Sequence, residues 1–365
     1  MDLPEIRHHL AQYLDNSSLA AAAVVCKSWN TTFTPILYSC IGWSKSQSSI
    51  NPSRRVVQAR ANDVRILRFT TNGSKVFPFE ALTRLEELRF TLPNEDCKDM
   101  RSFLYLVNHN PLLRSVDLSL CDSRGIQKTM MEAISRCQKL RKLHLTVYSL
   151  GSETAEYLFN ICVRLQEMSI DIGDNIRIDS MDKWTEFSEI RKLHLKYTPL
   201  NWSRQPSHNQ LDIVRKCPRL TSLLLAIDTT NYEIQDIYNI LSVAGPQLKE
   251  LSLSTQLDQR LSDNHYAQTL ITCTSLTSLT LHQANVGPAV LQSLHPRLSS
   301  LTVLHIKQCT GFSSSMAQEI MMSCPLLTSL TLTMLEARDV FGIRQDEEFF
   351  KESDNRAKEN HPPKW

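Results

Sequence analysis

The stretch LRKLHL, residues 140–145, sets leucines at its first, fourth and sixth positions with polar residues between them. Its closing L-x-L alternation is the two-residue period of a strand with one face buried and the other open. The pattern returns along the chain as VRILRF from Val64, LEELRF from Leu85, LRSVDL from Leu113, LQEMSI from Leu165 and IRKLHL from Ile190. It continues as LTSLLL from Leu220, LKELSL from Leu248, LTSLTL from Leu276, LTVLHI from Leu301 and LTSLTL from Leu327. Successive copies are 21 to 30 residues apart. Intervening stretches such as SRGIQKTMMEAISRC and SMAQEIMMSC repeat their apolar residues every three or four positions, the mark of a one-sided helix. A strand followed by a helix cannot hide its own apolar face, so a run of such units is stable only when stacked.

This motif and period resemble the leucine-rich repeat over residues 64 to 335. The resemblance implies an α/β horseshoe, with parallel strands on the concave face and helices on the convex face. Five cysteines, Cys137, Cys162, Cys217, Cys273 and Cys324, stand three residues before the first apolar position of a repeat. Cys121 and Cys309 stand three residues after the last apolar strand position. Both placements match the cysteine-containing variety of the repeat, in which the thiol packs as a small apolar group. The post-strand Asn or Cys is otherwise found only as Asn72; Pro93, Tyr148, Gly173, Thr198, Asp228, Gln256 and Ala284 replace it elsewhere. Less regular turns are expected there.

Composition narrows the function. Apolar residues make up 42% and charged residues 21%, an ordinary globular balance, and the net charge of +2 favours neither nucleic acid nor a membrane surface. Only 9 glycines occur, which disfavours folds that bring backbone against a phosphate. No C-x-x-C pair is present, so the cysteines read as structural rather than as metal ligands. No H-E-x-x-H, G-x-x-x-x-G-K-[ST] or G-x-S-x-G occurs either. The expectation is therefore a non-catalytic protein with no cofactor and no metal. The opening MDLPEIRHHL lacks the basic and apolar run of a secretion signal, which points to the cytoplasm or nucleus.

Residues 1 to 44 lie outside the repeat. LPEIRHHLAQYL puts Leu3, Ile6, Leu10 and Leu14 on one helical face, with Pro4 in the first turn. Asp15, Asn16 and Ser17 are alternative caps for a second helix, expected to run through AAAAVVCKSWN with Leu19, Ala22, Cys26 and Trp29 along one stripe and Val24 and Val25 beside it. TTFTPILY follows as a short third helix or turn. Three such helices expose more apolar surface than they can hide among themselves. They cap the first repeat, or they meet a partner.

The order LPEI, YL, VCKSW and P-x-LY resembles the F-box, the adaptor-binding module of cullin-RING ubiquitin ligases. By that resemblance Leu3, Pro4, Ile6, Leu10, Leu14, Leu19, Val25, Cys26, Trp29, Pro35, Leu37 and Tyr38 form the core and the surface for a Skp-type adaptor. The chain would then be the substrate receptor of a Skp–cullin–F-box ligase. The alternative is a repeat scaffold or inhibitor without a ubiquitin role, its first helices acting as a cap. Residues 45–63 read as a polar, then basic, connector, and 336–365 as a charged tail.

A substrate would meet the polar positions of L-x-x-L-x-L, which point away from the leucines. Arg68, Arg89, Lys142, His144, Lys192, His194, Lys196 and His305 give that face its basic residues. They suit an acidic or phosphorylated protein segment. Trp202, in the long stretch TPLNWSRQPSHNQ, is a further contact candidate.

Overall fold

The computed structural model describes residues 3–44, 54–70, 79–91, 97–120, 124–176, 185–197, 211–227, 234–255 and 262–334. Asn72, Pro93, Cys121, Trp202 and the charged tail lie outside them. The chain gathers into two compact units, Met1–Leu165 and Gln166–Trp365.

The first unit opens with three helices, α1 (Pro4–Ala11), α2 (Asn16–Ala23) and α3 (Lys27–Leu37). Strands β1 (Cys40–Ser44), β2 (Ile66–Thr70), β3 (Glu87–Thr91), β4 (Ser115–Ser119) and β5 (Lys142–Leu150) follow, with helices α4 (Arg54–Ala59), α5 (Cys97–His109), α6 (Arg124–Ser135) and α7 (Ser152–Cys162) between and after them. The strands lie side by side in chain order, and every pairing is parallel. Parallel neighbours need a crossover, and the helices supply it.

In the second unit β6 (Glu167–Ile176), β7 (Lys192–Tyr197), β8 (Ser222–Ile227), β9 (Glu250–Thr255), β10 (Ser278–His282), β11 (Val303–Cys309) and β12 (Ser329–Met334) pair in the same parallel, sequential way. Its helices are α8 (Asp212–Arg215), α9 (Ile234–Ala244), α10 (Asp263–Ile271), α11 (Pro288–Leu294) and α12 (Ser314–Ser323). This is an α/β fold of the leucine-rich-repeat type.

The three apolar positions of each motif are buried in nearly every copy, from Val64, Leu67 and Phe69 to Leu301, Leu304 and Ile306. Each fully buried leucine contributes about 1.5–3 kcal/mol relative to an exposed one. Phe90 on β3 shows where these side chains go: its ring meets Phe103 of α5 edge-on, with centroids 5.2 Å apart. Neighbouring repeats are also joined just ahead of the strands, where one carbonyl accepts from two consecutive amides. Ser39 O accepts from the amides of Arg65 and Ile66 at 2.8 and 2.9 Å, and Thr277 O from those of Thr302 and Val303 at 2.8 and 3.2 Å. The cysteines ahead of the repeats, Cys137, Cys162, Cys217, Cys273 and Cys324, are all buried, as is Cys309. Cys217 Sγ donates to Ile213 O at 3.2 Å, and burial pushes its thiol up to about 12.

Two features differ from the sequence expectation. AAAAVVCKSWN is not one helix: α2 stops at Ala23, Val24 and Val25 turn outward, and Cys26 is the extended residue that starts α3. Paired β-branched valines are poor helix continuers, and Asn30 Nδ2 donates to Ala23 O at 2.9 Å, meeting a carbonyl the broken helix leaves open. The single-helix reading of that segment is corrected to two helices and a corner. The second difference is β1, a strand ahead of the first recognised motif. Its register sets Ile41 beside Leu67 and Trp43 beside Phe69, so Tyr38-x-x-Ile41-x-Trp43 is a further copy written with aromatic ends.

Candidate functional site

The head closes a core of its own. Ala11, Leu19, Ala22, Ala23 and Phe33 are buried together, and Leu14, Trp29, Ile36 and Leu37 pack against them. Trp29 and Phe33, one turn apart on α3, hold their ring centroids 5.3 Å apart. Asp15 caps α2 by accepting from Ser18 N at 2.7 Å, and those hydrogen bonds hold its carboxyl below its ordinary value.

The rest of the head's apolar residues stay outside. Leu3, at the N-cap, and Ile6 and Leu10 of α1 are exposed, whereas Arg7 and Ala11 are the buried side chains of that helix. Ile6 is 53% exposed and Leu10 48%. Tyr13, at the next step of the same spacing and absent from the sequence-based set, is 74% exposed. At the corner after α2, Val24 is 81% and Val25 63% exposed.

The twelve residues singled out in the head therefore divide. Leu14, Leu19, Trp29 and Leu37 belong to the core, while Leu3, Pro4, Ile6, Leu10, Val25 and Cys26 face outward. Pro35 lies partly buried near the end of α3. Tyr38 is the residue that follows α3, its ring under the Arg60 guanidinium at 5.8 Å. The spacing 3, 6, 10, 13 was the signal that could have added Tyr13.

The polar strand positions form rows across the strands of each unit. In the first unit Arg68, Arg89, Asp117 and His144 are register partners. Arg89 Nε is 2.6 Å from Asp117 Oδ2, so one of the expected cations is already paired. Lys142 and His144 are exposed on β5.

In the second unit Ser169, His194, Leu224, Ser252, Thr280, His305 and Thr331 make the corresponding row. Lys192 is exposed on β7, and Lys196 lies 2.8 Å from Asp171 Oδ2. His305 Nδ1 is 2.8 Å from Thr331 Oγ1, and His282 Nδ1 is 3.0 Å from Ser254 Oγ. Burial, then the Lys307 ammonium, holds the His305 imidazole below its ordinary value. Burial does the same to His282, with Lys307 adding to the effect and a Gln308 hydrogen bond opposing it. His282, in register with Lys307, was not among the sequence-based candidates, although it occupies an outward position of LTLH.

Among the described residues no group of three or more His, Cys, Asp or Glu side chains is placed to hold a metal ion. No helix among them is long and apolar enough to cross a membrane.

No protein family matches the chain by sequence, and no curated protein does. In structure it is similar to a chain of the crystal structure of the Rad7 and Elc1 complex in yeast. That likeness is 15% identical, covers 82% of this chain and 87% of that one, and has a TM-score of 0.49. It is also similar to the leucine-rich repeat-containing protein LegL7 from Legionella pneumophila at 13% identity, over 80% of this chain and 97% of that one, with a TM-score of 0.42.

Proposed function

We propose that the chain is the substrate receptor of a Skp–cullin–F-box ubiquitin ligase. Residues 1–44 are the adaptor-binding head, 45–63 the connector, 64–335 the substrate-binding repeats and 336–365 a tail. The observation that carries this reading is the outward face of α1. The head completes a core without Leu3, Ile6 and Leu10 and leaves them in water. Contiguous exposed apolar side chains on a small bundle mark an interaction surface, and the F-box resemblance names an adaptor as the occupant. A receptor of this kind does no chemistry. Its contribution is to hold a protein substrate near the charged conjugating enzyme, raising effective concentration. The cytoplasm or nucleus is where such a ligase works.

The test is co-expression with a Skp-type adaptor followed by size-exclusion chromatography. The native chain should elute as a stoichiometric complex. Leu10→Asp should abolish the complex while leaving the thermal midpoint of the isolated chain within a degree or two, since the side chain is outside the core. A native chain that elutes alone in the presence of adaptor overturns the reading and makes the head a cap on the repeats.

A further inference from the structure

The last copy of the repeat differs from all the others. In the ten earlier copies the first and fourth apolar positions are buried, as in Leu276 and Leu279 or Leu301 and Leu304. In the eleventh, Leu327 and Leu330 are only half-buried. β12 pairs with β11 on one side, and among the described residues no strand lies along its other edge. Ser329 donates its amide to Thr302 O on the β11 side at 3.2 Å. By strand alternation Leu330 and Leu332 then turn their peptide groups to the outer edge. Edge strands are commonly guarded by charged residues or proline, but β12, SLTLTM, has neither.

We infer that this edge is a dimer interface, β12 pairing with β12 of a second copy of the chain. The inference goes beyond the receptor reading and does not rest on it. Two identical edges meet about a two-fold axis, so the pairing is antiparallel. Opposed residues of an antiparallel pair share a face. The register that matches leucine only with leucine sets Leu330 opposite Leu332 of the second copy and places Thr331 on the axis. Ser329 then faces Thr333 of the second copy. Leu330 and Leu332 exchange both peptide hydrogen bonds, and the two Thr331 side chains meet at the closer station, where hydroxyl pairs are favourable. No like charges are opposed, and Leu330 gains the apolar neighbour that every earlier copy has.

Other occupants suit this edge less. After Leu335 the sequence nowhere sets three apolar residues at alternating positions, as β12 does with Leu330, Leu332 and Met334. A foreign strand would find no charged group on the edge to select it, whereas a second copy matches the edge by identity. Because opposed residues share a face, the outward polar rows of the two copies run on as one surface. Such a surface suits a ligand with two contact segments.

Sedimentation velocity of the full chain tests this. From about 1 to 200 µM, the 41.8 kDa monomer should give way to a species of twice that mass. Thr331→Lys and Thr331→Asp each set like charges face to face and should weaken self-association about tenfold or more. Mixed in equal amounts, the two variants should pair at least as tightly as the native chain. Hydrogen exchange of the native chain should show the β12 amides gaining protection as concentration rises. A native chain that stays monomeric throughout, a dimer indifferent to both charged variants, or a mixture that fails to pair overturns the proposal. Concentration-independent protection of β12 in a monomeric chain assigns the edge to the residues after Leu335, and overturns it equally.

Discussion

Asp263 at the start of α10 is the cap of the next helix. Its Oδ1 accepts from Gly287 N at 2.8 Å and Val290 N at 2.9 Å, while Oδ2 accepts from Ala289 N at 2.8 Å. Three amides at the opening of α11 are met by one carboxylate, whose charge also suits that end of the helix. A Cβ on Gly287 would lie 2.6 Å from Asp263 Oδ2. Asp263→Ala is expected to cost about 1–3 kcal/mol, and Gly287→Ala should also destabilise by displacing the carboxylate. Urea unfolding of each variant measures it, and an unchanged midpoint for Asp263→Ala would refute the cap.

Asn110 is fully buried after α5 and has both ends of its amide satisfied. Nδ2 donates to Leu82 O at 2.8 Å and Leu106 O at 2.7 Å, and Oδ1 accepts from Leu85 N at 2.7 Å. Two of these partners, Leu82 and Leu85, stand 25 or more residues earlier in the chain. Asn110→Ala strands all three backbone groups and should cost about 2–4 kcal/mol. Asn110→Leu, which restores volume without hydrogen bonds, should not recover the loss in thermal unfolding.

The two faces of the head should respond oppositely to substitution. Phe33→Ala removes a buried ring from the head core and should lower stability by about 3–5 kcal/mol. Ile6→Asp places charge on a side chain already in water and should change stability by less than about 0.5 kcal/mol. Circular dichroism melts of the two variants separate core from surface. Similar losses in both would mean that α1 packs through its apolar stripe.

Burial raises the Cys217 thiol to about 12 and the Cys273 thiol to about 11. In the unfolded chain both ionise near 8.5. Folding thus favours the protonated form: the contribution is complete below about pH 8.5 and is lost as pH rises toward the folded values. Stability should decline above pH 9, by up to about 1.4 kcal/mol per pH unit for each thiol. At pH 8 iodoacetamide should modify the exposed Cys26 and Cys40 and spare Cys217 and Cys273 until urea is added. Mass spectrometry of the alkylated sites reads the difference.

The repeats were legible because burial in a strand has a two-residue period, and LRKLHL displays it with leucines at every inward position. Where the inward residues change type, legibility falls. β1 is hard to find in the sequence because Tyr38, Ile41 and Trp43 stand where leucines do elsewhere, and because Tyr38 also closes the head's P-x-LY. The break at Ala23 was hidden for another reason: four alanines favour helix, and only the solvated valines and the Asn30 bond decide that α2 ends there. The head's residues were read as one mixed set of core and surface. Sequence spacing finds an apolar stripe on α1 but does not say that Ala11 and Arg7, rather than Leu3, Ile6 and Leu10, turn inward. The pairing of Arg89 with Asp117 and of Lys196 with Asp171 joins residues 25 or more positions apart, a distance at which only the register brings them together.

The carbonyl that serves two amides ahead of each strand has a consequence for how such a chain can change. The linkage fixes the step from strand to strand at a peptide's dimensions, while the spacing from one copy of the motif to the next varies from 21 to 30 residues. Growth of a connection leaves the rungs alone. A single residue inserted between the two amides shifts the leucines of that strand to the wrong side. A whole period added or removed leaves each rung with the same neighbours in kind. The molecule is counted in rungs, each joined to the next through the same few backbone atoms.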